Sequence, residues 1–154
     1  MKILFLAPRL PLPADTGGKI RTLNILKQVA KSNQVHLVCF SFENADTKLA
    51  AELRDKGMEV TLVPMQEPDL VEKVFGVLLK PVPYSMAKYL SVRMKEVLTS
   101  LCRSGKFDAV HVDHLHMAHY KDCFNGLPCV MDEHNVEYRI LERCVEVEKS
   151  PAKR

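Results

Sequence analysis

Histidine and carboxylate side chains follow two apolar runs in the second half of the chain. Asp113, His114 and His116 follow the run 107–112, and His134 and Asn135 follow the run 128–132. Imidazole and carboxylate groups can bind hydroxyl groups or transfer a proton. The carboxyl ends of parallel strands meet at one edge of a sheet, where ligands bind near the switch in strand order. We therefore predict that these residues form one site.

A glycine pair, Gly17 and Gly18, follows the first apolar run, 2–7, and opens a helical pattern. The first N–H groups of a helix are unpaired, and glycine lets an anion approach them closely. Lys19 and Arg21 lie where the helix dipole disfavours cations by roughly 0.3–1 kcal/mol each, a cost that a bound phosphate offsets. An ordinary solvated helix start is the alternative. The loop matches neither the Walker A motif nor the GxGxxG fingerprint.

Four histidines between positions 111 and 119 also suggest a metal site, with Cys123, Cys129 or His134 as further ligands. Their spacing matches neither a zinc finger nor the HExxH motif. Side chains on a strand-to-helix corner diverge, so we expect no metal. His111, inside the apolar run, is expected to be a core residue.

Five short apolar runs alternate with helical patterns along the chain, which predicts right-handed βαβ crossovers. The expected fold class is α/β, a Rossmann-like open parallel sheet flanked by helices. The predicted strands are 2–7, 35–40, 59–63, 107–112 and 128–132. The predicted helices are 20–30, a helix capped by Asp46 or Thr47, 67–80, a long helix through Met86 and Leu101, and one from Arg139.

Composition predicts a single cytoplasmic domain over residues 1–149, with a disordered tail over 150–154. The 154 residues suffice for one substantial core, and a net charge of +3 does not argue for nucleic acid. Five cysteines without a CxxC pair are typical of reduced thiols. No segment is long enough to span a bilayer. The apolar helix 67–80, flanked by lysines, could contact a membrane surface.

Four stretches together resemble the N-terminal domain of a family 4 glycosyltransferase of the GT-B fold. They are 2–18 (KILFLAPRLPLPADTGG), 20–30, 107–114 (FDAVHVDH) and 134–138 (HNVEY). The resemblance is strongest to the sugar transferases associated with PEP-CTERM and exopolysaccharide gene clusters. It covers nearly the whole chain.

The resemblance implies a metal-independent, hexosyltransferase-like enzyme of exopolysaccharide biosynthesis. Such an enzyme moves sugar from a nucleotide-sugar to a polysaccharide or lipid-linked acceptor. It implies no cofactor beyond that substrate, no nucleic-acid partner and a cytoplasmic location with possible peripheral membrane contact. The donor-binding C-terminal domain of the family is absent from this chain, so we expect the fragment to be inactive alone.

The resemblance also assigns roles to individual residues. Gly17 and Gly18 would approach the donor diphosphate. The family's sugar-contacting histidine position falls at Asp113, with His114 next to it, so either residue could be the catalytic one. His134, Asn135 and Glu137 match the motif after the fifth strand and would line the cleft, with Lys19, Arg21 and His116 as further substrate-binding residues.

Two other classes compete with this interpretation. One is a stand-alone Rossmann-like module that binds a phosphorylated metabolite through Gly17, Gly18 and the histidines. The other is a flavodoxin- or response-regulator-like domain. The second class is disfavoured because Pro8 and Arg9 follow the first strand, where its acidic cluster would lie.

Overall fold

The computed structural model describes residues 1–65, 84–104 and 106–147. Within these ranges, five parallel strands form one sheet with the order β3-β2-β1-β4-β5, flanked by helices. The predicted Rossmann-like α/β sheet is confirmed. The strands are β1 Lys2–Ala7, β2 Gln34–Ser41, β3 Glu59–Pro64, β4 Ala109–Asp113 and β5 Cys129–Asp132. The helices are α1 Gly17–Ala30, α2 Asp46–Arg54, α3 Tyr84–Ala87, α4 Val92–Arg103, a 3₁₀ helix Leu115–Phe124 and α5 Glu137–Val147.

Each face of the sheet carries its own apolar core. Phe5 and Leu37 point to the face covered by α1 and α2, where Leu26 is fully buried. Leu4 and Val110 point to the opposite face, covered by α4 and the 3₁₀ helix. Strands buried on both faces have near-continuous apolar sequences rather than alternating ones. The runs in β1, β2 and β4 therefore follow from the layered architecture.

The switch in strand order lies between β1 and β4. The chain moves outward from β1 to β2 and β3, then crosses back so that β4 pairs with the other side of β1. Connections on the two sides of this point leave the sheet in opposite directions, which opens a crevice at the carboxyl edge. Asp113 ends β4 and lies in register with Asp132, the last residue of β5. The predicted site therefore lies at the switch point.

The long helix predicted through Met86 and Leu101 is wrong, because the structure has two helices there. Ser91 has an extended backbone and caps α4, its Oγ accepting a hydrogen bond from Met94 N at 3.3 Å. The Ser91 N–H donates to the Tyr120 hydroxyl at 3.0 Å. These contacts hold Ser91 outside a helix and fix the start of α4 at Val92.

The helix predicted over 67–80, with its proposed membrane contact, and the tail 150–154 lie outside the described residues. Among the residues that are described, no helix is long and apolar enough to cross a membrane.

Candidate functional site

A buried carboxylate, Asp113, is the centre of the site. Its Oδ2 accepts hydrogen bonds from Thr22 Oγ1 and His114 Nδ1, both at 2.8 Å. Its Oδ1 lies 2.9 Å from His134 Nε2. The Asp113 side chain is only 1% exposed. An ionised carboxylate can only accept, so each imidazole carries a proton on the nitrogen that faces Asp113.

The three donors decide the protonation of Asp113. Burial alone would raise the pKa of this carboxyl group. Hydrogen bonds from His114, Thr22 and His134 outweigh burial and hold the pKa of the Asp113 carboxyl group below its usual value. The carboxylate is therefore the favoured form in the folded protein.

An unusual backbone conformation brings His114 back to its own neighbour. Consecutive strand residues normally point to opposite faces of a sheet. His114 has φ 72° and ψ 139°, a combination that costs a non-glycine residue on the order of 1–3 kcal/mol. The turn it produces lets the imidazole contact the Asp113 side chain on the same side of the sheet.

His134 enters the same cluster from the loop after β5. Its side chain is 6% exposed, and its ring centroid lies 3.7 Å from that of His114, with a 38° tilt. The nitrogens that do not face Asp113 are near α1. A Cβ atom added to Gly18 would lie 3.8 Å from His114 Nε2 and 3.9 Å from His134 Nδ1. Two imidazole edges therefore face the start of α1.

Both cations of the first turn of α1 are paired with carboxylates. Arg21 donates to both oxygens of Asp132, at 2.6 Å from Nη2 and 3.3 Å from Nε. Lys19 Nζ lies 3.0 Å from Asp15 Oδ1. Arg21 is half-exposed, so its pair contributes modestly to stability. The pair nevertheless connects α1 to β5 across the site.

A cleft of about 350 Å³ lies between α1 and the cluster. His116 forms its far wall, where its ring stacks on Tyr89 with centroids 5.6 Å apart and an 8° angle between planes. Thr16 caps α1, and the first turn of that helix has no acidic side chain. The lining residues are Pro8, Arg9, Pro11, Asp15, Thr16, Gly18, Lys19, Thr22, Tyr89, Asp113, His114 and His116.

The structure thus brings Gly18, Lys19, Asp113, His114 and His116 to one cleft, with His134 in contact with two of them. The catalytic roles of Asp113 and His114 stay a prediction.

Asn135, His119 and His111 form no described hydrogen bond to Asp113, although a His111 ring nitrogen lies within 4.8 Å of a carboxylate oxygen of Asp113 and of Asp132. Asn135 is exposed, and Glu137 begins α5 with a side chain outside the described set. His119 packs on the Tyr120 ring at 4.1 Å. His111 stacks on Phe5 at 4.3 Å and 16°, and burial lowers its pKa.

Sequence reasoning missed two members of the site, Thr22 and Asp132. Thr22 follows Gly18 by four residues, so the two lie on the same face of α1. Asp132 ends a strand beside the strand that ends in Asp113. Helical spacing from Gly18 could have indicated Thr22, and the pairing of the last two strands could have indicated Asp132.

The fold and the site together define a class, a Rossmann-like α/β domain with a polar cleft at its switch point. No family model and no curated protein matches the chain. Two solved structures share features of its fold. One is the U34-tRNA thiolase NcsA from Methanococcus maripaludis, with 12% identity and a TM-score of 0.45, over 98% of this chain and 60% of that one. The other is a predicted tRNA methyltransferase subunit from Methanocaldococcus jannaschii, with 13% identity and a TM-score of 0.43, over 95% of this chain and 75% of that one.

These neighbours contradict the glycosyltransferase family expected from the sequence. Neither is a glycosyltransferase. The expected sugar transfer and the link to exopolysaccharide biosynthesis are therefore corrected, together with the expected nucleotide-sugar, polysaccharide or lipid-linked partners. The exclusion of nucleic acid is also corrected, because both neighbours are named for tRNA. The match spans about 60% of the length of the thiolase chain. With TM-scores below 0.5, neither likeness gives this chain a substrate.

The expectation of no cofactor is contradicted as well, since the thiolase carries a [4Fe-4S] cluster. Iron–sulfur clusters are held by cysteine thiolates. Within the described part of this chain, both groups of three potential metal ligands contain only histidine and aspartate. They are Asp113 with His114 and His134, and His111 with Asp113 and Asp132. These residues do not fit such a cluster.

Proposed function

We propose that this domain binds a phosphate-bearing small molecule in the switch-point cleft. The observation that carries the proposal is the pair of imidazole edges of His114 and His134, which face the start of α1 across the crevice. Open α/β sheets bind ligands at this place in the fold. The phosphate group would contact the N–H groups of Gly17 and Gly18, which point out of the helix.

Several features of the cleft favour an anion over a neutral ligand. The first turn of α1 lacks acidic side chains, so the positive end of the helix dipole is not neutralised there. The Thr16 side chain accepts a hydrogen bond from the Lys19 N–H, so this cap does not use the N–H groups of Gly17 and Gly18. A second cleft of about 290 Å³ shares Arg9, Asp15 and Lys19 with the first. It offers room for the rest of a ligand larger than phosphate.

The two glycines provide a matched pair of variants. A Cβ atom at Gly18 would occupy the space beside both imidazoles at ordinary contact distance, whereas one at Gly17 would meet nothing within 4 Å. Alanine is a better helix former than glycine, and no added Cβ atom would lie closer than 3.8 Å to the atoms around it, so both variants should fold. We expect Gly18→Ala to weaken phosphate binding and Gly17→Ala to preserve most of it.

Thermal shift and isothermal titration calorimetry with inorganic pyrophosphate and AMP test the proposal. A ligand at one hundred times its dissociation constant should add about 2.7 kcal/mol to the free energy of unfolding. For a domain of this size that amounts to a rise in Tm of about 5–10 °C. The proposal fails if neither probe binds, or if Gly18→Ala binds as wild type does.

A further inference from the structure

We propose that His114 Nε2 and His134 Nδ1 together ligate one divalent transition-metal ion at the switch-point cleft. The ion would then contact the phosphate group of the ligand. The metal site stands on the histidine geometry, whereas the phosphate contact rests on the function proposed above.

The first argument is the arrangement of Asp113 behind both rings. A metal-binding histidine almost always donates its other ring N–H to a carboxylate or carbonyl oxygen, which fixes the tautomer and orients the lone pair. Asp113 accepts from Nδ1 of His114 at 2.8 Å and from Nε2 of His134 at 2.9 Å. One buried carboxylate therefore orients two imidazoles at once, and it leaves the opposite nitrogen of each as a potential ligand.

The second argument is that these two nitrogens converge. Both lie within 3.9 Å of one point, the place where Gly18 would carry a Cβ atom. The rings that hold them are 3.7 Å apart at their centroids. An ion needs nitrogens about 2.0–2.1 Å away, and the missing side chain at Gly18 leaves space for it.

The third argument is the local balance of charge. The ring nitrogen that faces away from Asp113 can act as a metal ligand in each imidazole, because the other nitrogen carries the proton. Lys19 and Arg21 are already paired with carboxylates, and the guanidinium group of Arg9, which also lines the cleft, lies over the Phe42 ring. One divalent ion satisfies both lone pairs and supplies the positive charge that a phosphate group requires.

The ligand set selects the kind of metal. Imidazole nitrogen suits zinc, cobalt, nickel and copper, whereas magnesium and calcium prefer oxygen ligands. Two protein ligands leave further coordination positions open to water or phosphate oxygen. We therefore expect binding of Zn²⁺ and Co²⁺ and little response to Mg²⁺.

Calorimetric titration of Zn²⁺ into the metal-free full chain tests the site, with Co²⁺ absorption as a spectroscopic check. We expect one ion per chain. His114→Gln and His134→Gln should each weaken binding by at least about tenfold, and Asp113→Asn by about 10- to 100-fold. His36→Gln is the matched control, because His36 is bonded to Thr61 and Glu59 on β3. Circular dichroism establishes that each variant is folded.

The metal site is overturned if wild type takes up no Zn²⁺, or if the His114 and His134 variants bind it as wild type does. AMP titration with Zn²⁺ and with a chelator separates the two proposals. AMP binding that requires Zn²⁺ supports both. AMP binding that the chelator leaves unchanged overturns the metal contact and supports phosphate binding. Zn²⁺ uptake without AMP binding under either condition supports the metal site and contradicts the proposed function.

Discussion

Replacement of Asp113 by asparagine tests whether its carboxylate organises the site. The amide has nearly the same shape, so the change removes charge and one acceptor without leaving a cavity. The amide oxygen can occupy the position of Oδ2 and accept from Thr22 and His114 as before. The amide NH₂ group then faces the N–H of His134, so that contact becomes repulsive until the imidazole changes tautomer.

The expected loss follows from these three contacts. Hydrogen bonds to a charged group contribute about 1.5–3 kcal/mol and neutral ones about 0.5–1.5 kcal/mol. The hydrogen bonds from Thr22 and His114 would therefore each contribute about 1 kcal/mol less to stability. The repulsive contact between the amide NH₂ group and the His134 N–H adds to the loss. Relief from burying a charge offsets part of it. We expect Asp113→Asn to reduce the free energy of unfolding at pH 7 by about 2 kcal/mol.

The pH dependence of this loss has a definite sign. The pKa of Asp113 is lower in the folded protein than its usual value, so the unfolded chain binds the proton more readily. The stabilisation is complete above the unfolded pKa of about 3.9. It is lost as the pH falls through the folded pKa. The difference between variant and wild type should shrink between pH 5 and pH 3.

Urea unfolding followed by circular dichroism at pH 7, 5 and 3 measures the difference. Asp108→Asn is the control, because Asp108 is exposed and accepts one hydrogen bond, from the Lys2 N–H at 2.7 Å. Its variant should lose well under the amount lost at Asp113. A difference below about 0.5 kcal/mol for Asp113→Asn at pH 7 would refute the central role of the carboxylate. A loss that persists unchanged at pH 3 would refute its electrostatic origin.

Further predictions use the same unfolding assay. Because His114 has a positive φ, His114→Gly should be more stable than His114→Ala by about 1 kcal/mol or more; equal stabilities would contradict the strain. Thr22→Val removes one donor to Asp113 and should cost about 1 kcal/mol, and a neutral result would argue against that bond. His111 Nε2 is buried without a hydrogen-bond partner among the described residues. His111→Phe should therefore gain about 1 kcal/mol while keeping the stack on Phe5, and a loss would point to a contact for that nitrogen.

The sheet could be predicted from the sequence because burial on both faces leaves a clear signal. Runs such as 2–7 and 35–40 are apolar throughout, and helical spacing separates them. Element ends depend on single side-chain contacts that the pattern does not record. Ser91 divides a predicted helix in two because its hydroxyl caps α4 and its N–H donates to the distant Tyr120.

The sequence was sufficient to predict that the candidate residues meet at one edge of the sheet, but not the bonds between them, and their functional roles stay predictions. Strand topology alone places Asp113, His114 and Gly18 at one edge. The contact of His134 with Asp113 depends on the loop after β5 and on the positive φ of His114. Nothing in the spacing of the histidines encodes that conformation. The divergence expected for the histidines between positions 111 and 119 did not take the contact between His114 and His134 into account.

The family assigned from sequence failed for a related reason. A buried strand, a loop and a glycine at the start of α1 are what the switch point of any Rossmann-like sheet requires. The stretches 2–18 and 107–114 are therefore typical of this fold, and they do not specify an activity.

Amide NMR of the glycines tests the central claim most directly. The chain has six glycines, so selective ¹⁵N-glycine labelling gives few resonances, which Gly17→Ala and Gly18→Ala help to assign. AMP is titrated into zinc-loaded protein and into chelator-treated protein. Binding at the switch-point cleft predicts that the Gly17 and Gly18 resonances shift in at least one condition while those of Gly57 and Gly126 do not. Unchanged Gly17 and Gly18 resonances in both conditions, or equal shifts at Gly57 and Gly126, would contradict the account.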